Sequence, residues 1–140
     1  MSGKHVFVDT NILVYAYDLD AGDRHDRAKR LVRELWKRPQ HAWISVQVLQ
    51  ELYISLLRLG MPDEEVTRIV EDYLNWGVVQ NTTGLLQVAI RGHQHWQISL
   101  WDAMILAAAR QARATILWTE DLSDGRDYDG VVARKPLTAG

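Results

Sequence analysis

The 140-residue chain contains no cysteine, only three prolines and a single phenylalanine. Without cysteine there is no disulfide framework, no thiolate nucleophile and no Cys-ligated zinc. No long hydrophobic run is present. The N-terminus, Met1-Ser2-Gly3-Lys4-His5, leads into three apolar residues that stop at Asp9. A secretory core needs about 7–15 apolar residues and a spanning helix about 20. The expectation is a soluble, cytoplasmic protein with no membrane association. Excess charge of one sign is also lacking: 16 Lys+Arg against 18 Asp+Glu leave −2. Nucleic-acid binding by bulk positive charge is therefore disfavoured. A cluster of metal-holding acids would nevertheless hide a mildly basic surface in that sum.

What is present is an ordinary globular composition, 47% apolar and 24% charged, of a length that suits one domain over 1–140. Val6-Phe7-Val8 is a short apolar run that suits a strand buried on both faces. After it, Asn11 or Thr10 is a candidate cap for a helix beginning at Ile12. Ala28, Leu31, Val32 and Leu35 give an amphipathic helix over Asp23–Arg38. Ala42-Trp43-Ile44 predicts a second strand. Ser45 then caps a helix over Val46–Leu59, with Leu49, Leu52, Tyr53 and Leu56 as its apolar stripe. Pro62-Asp63-Glu64-Glu65 opens another helix, and Val78-Val79 a third strand. Helical spacing resumes from Leu85 toward Trp96, and Ser99–Ala112 predicts a central buried helix. Thr115–Trp118 and, more weakly, Val131–Ala133 complete about five strands. Strands alternating with helices predict an α/β fold, a parallel sheet covered on both faces. Sites in such sheets lie beyond the carboxyl ends of the strands.

Four acids fall where that rule points. Asp9 ends the first strand and Asp121 follows the fourth by three residues. Asp102 stands in Ser99-Leu-Trp-Asp102, which is also the spacing of a capping box. Glu51 flanks the apolar stripe of its helix. Individually, each has an ordinary reading as a turn, cap or solvated residue. Together they would repel one another unless a cation were held between them. With all-oxygen donors, no cysteine and no evident histidine triad, that cation would be Mg²⁺ or Mn²⁺. An aspartyl-nucleophile phosphohydrolase usually carries an Asp-x-Asp pair, and here the second position is Asn11.

Val6-Phe-Val-Asp9-Thr10-Asn11-Ile-Leu-Val-Tyr15, Glu51 in Ser-Val-Gln-Val-Leu-Gln-Glu-Leu, Ser99-Leu-Trp-Asp102-Ala103 and Trp118-Thr119-Glu120-Asp121-Leu122 together resemble the PIN-domain ribonucleases. The VapC-like toxins are the most similar branch. The resemblance runs in order over nearly the whole chain. It implies a three-layer α/β/α PIN-like fold and an Mg²⁺- or Mn²⁺-dependent endoribonuclease. Such an enzyme hydrolyses RNA phosphodiesters with a metal-activated water and leaves a 5′-phosphate. It would form the toxin of a toxin–antitoxin pair, with an antitoxin partner and a homodimer expected. Asp9, Glu51, Asp102 and Asp121 would be the catalytic, metal-holding acids. Asn11, Thr10, Thr119 and Glu120 would support them. Glu120 and Asp124 are alternatives for the last acid, and the family spacing after Thr119 favours Asp121. Val132–Leu137 resembles the family's closing strand and Pro-aromatic tail, with Leu137 in the aromatic's place. A non-catalytic PIN-like module binding RNA or protein is the rival reading.

Arg24, Arg27, Lys29, Arg30, Arg33, Lys37 and Arg38 make the helix over Asp23–Arg38 basic. Arg24 and Arg27, nearest the first acidic loop, are candidate RNA contacts. His93 and His95, two residues apart on a helix, point different ways and are not expected to share a metal. The tryptophans are read as core or interface residues. Base stacking by Trp36, Trp76 or Trp96 has no specific support.

Overall fold

A computed structural model describes residues 4–138. Met1-Ser2-Gly3, part of the stretch read above for a targeting signal, and the last two residues of the expected 1–140 domain lie outside that range. The strands are β1 (His5–Val8), β2 (Ala42–Ser45), β3 (Gly77–Val79), β4 (Ala114–Trp118), β5 (Asp127–Tyr128) and β6 (Val131–Arg134). The helices are α1 (Thr10–Tyr15), α2 (Asp23–Trp36), α3 (Val46–Arg58), α4 (Asp63–Tyr73), α5 (Thr83–Trp96) and α6 (Leu100–Gln111). Short 3₁₀ turns at Leu19–Ala21 and Pro39–His41 join them. No helix among the described residues is long and apolar enough to cross a membrane.

The sheet order is β3-β2-β1-β4-β6-β5. Its first five strands are parallel, and β5 pairs antiparallel with β6 at one edge. The chain moves outward from β1 through β2 to β3, then crosses back to place β4 on the other side of β1. Right-handed crossovers consequently put α1–α4 on one face and α5–α6 on the other. The result is the expected three-layer α/β/α arrangement. The reversal of strand order falls between β1 and β4, and such a switch point opens a crevice at the strands' carboxyl ends.

The core follows from the apolar runs. Phe7, Val8, Ile44 and Leu117 of the sheet are buried from both sides, while α6 contributes Ala103 and Ile105 through Ala109. The small alanines of α6 let it approach the sheet closely. On the opposite face Tyr73, Trp36 and Trp76 pack ring against ring, at centroid separations of 4.8–5.1 Å. The Tyr73 and Tyr17 hydroxyls meet at 3.3 Å.

Two local expectations need correction. Neither Asn11 nor Thr10 caps α1. Asp9 does, with extended backbone and a carboxylate that accepts from Thr10 N, so the helix starts before Ile12. The sixth strand, β5, is an addition. Tyr128 pairs with Val131 across Asp129-Gly130, both at positive φ, which is the geometry of a two-residue hairpin turn. Asp-Gly between Tyr128 and Val131 is the sequence signal for that hairpin.

Gly77 of β3 lies opposite Trp43 of β2, and a Cβ there would come within 2.3 Å of the Trp43 indole. Gly77→Ala should cost about 1–3 kcal/mol through this overlap. Denaturant unfolding would show it as a lowered midpoint with an unchanged slope.

Candidate metal centre

β1 and β4 run side by side, so the residues that follow them emerge together. Asp9 continues the pairing, its N–H donating to Trp118 O at 2.9 Å. Thr119 likewise donates its N–H to Arg134 O of β6. Both side chains are buried, and they meet: Thr119 Oγ1 donates to Asp9 Oδ2 at 2.8 Å. The other carboxylate oxygen, Oδ1, accepts from Thr10 N at 2.7 Å. Thr119 Oγ1 also accepts from Asp121 N at 3.1 Å. One hydroxyl thus ties the loop after β4 to the end of β1.

The third element is α6. Ser99 caps it, its Oγ accepting from Asp102 N at 3.0 Å. That is one half of the expected capping box, and it leaves the Asp102 carboxylate facing the acids of β1 and β4. Asp9, Asp102 and Asp121 each offer an oxygen within 4.8 Å of the others. Neither ion pair among the described residues involves any of the three.

Glu51 stands apart from this trio. It is exposed on α3, and its Oε1 accepts from Thr10 Oγ1 at 2.7 Å. It nevertheless lines the same open groove of about 730 Å³ as Asp9 and Asp121. Asn11 lines that groove too, and its Oδ1 is buried with no hydrogen-bond partner among the described residues. A buried oxygen without a partner is an exception that invites a ligand or water.

The remaining candidates separate cleanly. Glu120 turns toward the C-terminal segment, where its Oε1 accepts from Thr138 Oγ1 at 3.0 Å. Asp124 accepts from Lys135 N at 2.9 Å and is likewise outside the trio. Arg24 is exposed, with its guanidinium 5.9 Å from the centre of the Tyr15 ring, and Tyr15 lines the groove. Arg27 does not line the groove. Its Nη1 donates to Leu137 O at 2.9 Å, tethering the buried Leu137 and the closing segment to α2. His93 hydrogen-bonds to Ile98 O, and His95 packs edge-on to Trp96, so the two do not share a ligand position. Groove residues not singled out from the sequence are Asp18, Gln50, Ile54, Ser55 and Arg58. The last four fall with Glu51 on one stripe of α3, a relation visible in helical spacing alone. A cleft of similar size between α5 and α6 lies away from the acids.

Electrostatics of the cluster follow from burial. Loss of solvent pushes the Asp9 carboxyl up from 3.8 to about 7, against the hydrogen bonds from Thr119 and Thr10 and with added repulsion from Asp121 and Glu51. Asp102 is raised as well, first by burial and then by the same two neighbours, with Ser99 opposing. The donor set fits a divalent cation held by oxygen. The acids are mutually repulsive, one is buried, and no cationic side chain among the described residues forms an ion pair with them.

The Asp9 shift sets the pH response of the metal-free chain. Between about pH 4 and 7 the folded protein retains a proton that the unfolded chain has lost. The stability it contributes is complete below about 4 and is lost as pH rises through 7, at up to about 1.4 kcal/mol per pH unit. Metal-free protein should therefore melt at lower temperature at pH 7.5 than at pH 5. Asp9→Asn should flatten that difference, as followed by thermal unfolding in EDTA.

The PIN domain family model matches residues 6–123, from within β1 through the loop carrying Asp121. A search of curated proteins finds no match. Among solved structures, a toxin–antitoxin complex from Klebsiella pneumoniae superposes with a TM-score of 0.68 at 23% identity, covering 91% of this chain and 95% of that one. VapC20 of Mycobacterium tuberculosis, a sarcin–ricin loop cleaving toxin, gives 0.63 at 24% identity, with 83% and 89% covered. FitAB bound to a DNA fragment gives 0.66 at 12%, with 83% and 85% covered. At these identities the structural likeness is one of fold. The family match rests on the sequence itself and spans most of the chain, and it places this protein in the PIN-domain family.

Proposed function

We propose that the protein is a metal-dependent endoribonuclease and acts as the toxin of a toxin–antitoxin pair, over a single domain spanning residues 1–140. The observation that carries the reading is the meeting of Asp9, Asp102 and Asp121 within 4.8 Å at the strand-order reversal. Family membership and fold neighbours that include a toxin–antitoxin complex and an RNA-cleaving toxin support it. An antitoxin partner, a homodimer and a cytoplasmic setting belong to the same reading.

In this account Asp9, Asp102 and Asp121 hold Mg²⁺ or Mn²⁺. When bound, the cation supplies an acidified water and neutralises charge on a phosphodiester. The chain's own groups do the rest. Thr119 fixes the Asp9 carboxylate and the Asp121 backbone with one hydroxyl, so two of the holding groups cannot drift apart. Thr10 binds Glu51 Oε1, leaving Oε2 to accept a hydrogen bond, and a proton, from a water in the groove. Asn11, whose Oδ1 is buried and unpaired, is a supporting residue in this reading. Arg24, over Tyr15, lies at the groove's border as an RNA contact. Arg27 already has one donor committed to Leu137 O.

Purified protein should cleave RNA with Mg²⁺ or Mn²⁺ and stop in EDTA. Asp9→Asn should lower cleavage by more than about a hundredfold while preserving the fold, because the amide still accepts from Thr10 N. Undiminished cleavage in EDTA, or a fully active Asp9→Asn, would overturn the mechanism. Induced expression should arrest growth, with relief by a co-expressed neighbouring gene product. Unimpeded growth alongside soluble protein would favour the non-catalytic module.

A further inference from the structure

Gln50, Glu51, Ile54, Ser55 and Arg58 form one stripe along α3, and all line the groove that holds Asp9 and Asp121. Arg58 is the one cationic side chain in that lining, where the other charged groups are Asp9, Asp18, Glu51 and Asp121. It is exposed, and it makes no ion pair or hydrogen bond among the described residues, although carboxylates line the same groove. A guanidinium left unpaired beside acids is available to an incoming anion.

The acids make such a group necessary for a polyanionic substrate. A cation at the three aspartates neutralises the phosphate it holds. Phosphates further along the strand still face Asp18 and Glu51. Seven residues of helix separate Glu51 from Arg58, about 10 Å along the axis. Arg58 thus lies along α3 from the acids, beside a phosphate other than the one a cation at the aspartates would hold.

We infer that Arg58 is a substrate-binding residue that grips an RNA phosphate flanking the scissile one, setting the strand's path along α3. This rests on the endoribonuclease reading. It adds a residue that contributes to RNA affinity and register without taking part in bond cleavage. The ordinary role for an Arg in the last turn of a helix is to complement the helix dipole. That role would change the melting temperature and leave RNA binding alone.

The test compares wild type, Arg58→Gln and Arg58→Lys in cleavage, and the same Arg58 changes on an Asp9→Asn background in fluorescence anisotropy with labelled single-stranded RNA. Arg58→Gln should raise KM about tenfold with kcat nearly unchanged. It should also reduce the slope of log affinity against log salt by about 0.7, the loss of one phosphate contact. Arg58→Lys should restore that slope and only part of the affinity. Shortening the RNA from the end that lies along α3 should weaken the Asp9→Asn protein, with little further effect on the protein that also carries Arg58→Gln. If wild type cleaves RNA and Arg58→Gln shows the same KM and salt slope, the role of Arg58 is overturned and the endoribonuclease reading stands. If wild type neither binds nor cleaves RNA, both fall.

Discussion

Asp9 is a carboxylate held in a buried position by two donors from opposite directions, Thr10 N and the Thr119 hydroxyl. Its acidity is pushed toward neutrality by loss of water. An aspartate so placed costs stability unless it is protonated or faces a cation. The site depends on that tension. The same carboxylate caps α1, reaches the loop after β4 through Thr119, and stands opposite Asp102 and Asp121. The strand order supplies the place, since β1 and β4 are neighbours only because the chain crosses back after β3. A cation of hard-oxygen preference would relieve burial and repulsion together.

The rest of the protein needs little electrostatic support. The two ion pairs among the described residues are both on the surface, where such pairs contribute about 0–1 kcal/mol. Stability comes from the apolar layers, including the alanine face of α6 and the Trp36–Tyr73–Trp76 cluster. The charges of α2 and the end of α3 are thereby left for solvent or for a partner. A net charge of −2 conceals this division between an acidic centre and cationic flanks.

Much of this could be read from sequence because it is local. The apolar runs that end in Asp9 and near Asp121 mark buried strands, and strand ends point to one crevice. The Ser99–Asp102 spacing placed that acid in a first helical turn. What could not be read are contacts between distant residues. Thr119 joins Asp9 across 110 positions, and Thr10 holds Glu51 across 41. No periodicity announces either bond. Glu51 differs from the three aspartates in a way no motif shows: it bonds the Thr10 hydroxyl and acts on Asp9 and Asp102 through its charge. Arg27 is near the site in the chain, and its bond to Leu137 O is a contact across 110 positions that no local pattern shows. Arg58 is seven residues from Glu51 yet on the same stripe of α3, a relation that only helical spacing shows. The Asp129-Gly130 turn is a local signal, but the two-residue β5 that it joins to β6 is too short for any alternation to show.

The central claim is that Asp9, Asp102 and Asp121 form one divalent-cation site. Anomalous diffraction from a crystal grown with Mn²⁺ tests it most directly. The account predicts a peak within coordination distance of oxygens from all three aspartates, and its loss in the Asp9→Asn protein. A peak elsewhere, with none between these carboxylates at saturating Mn²⁺, would contradict it.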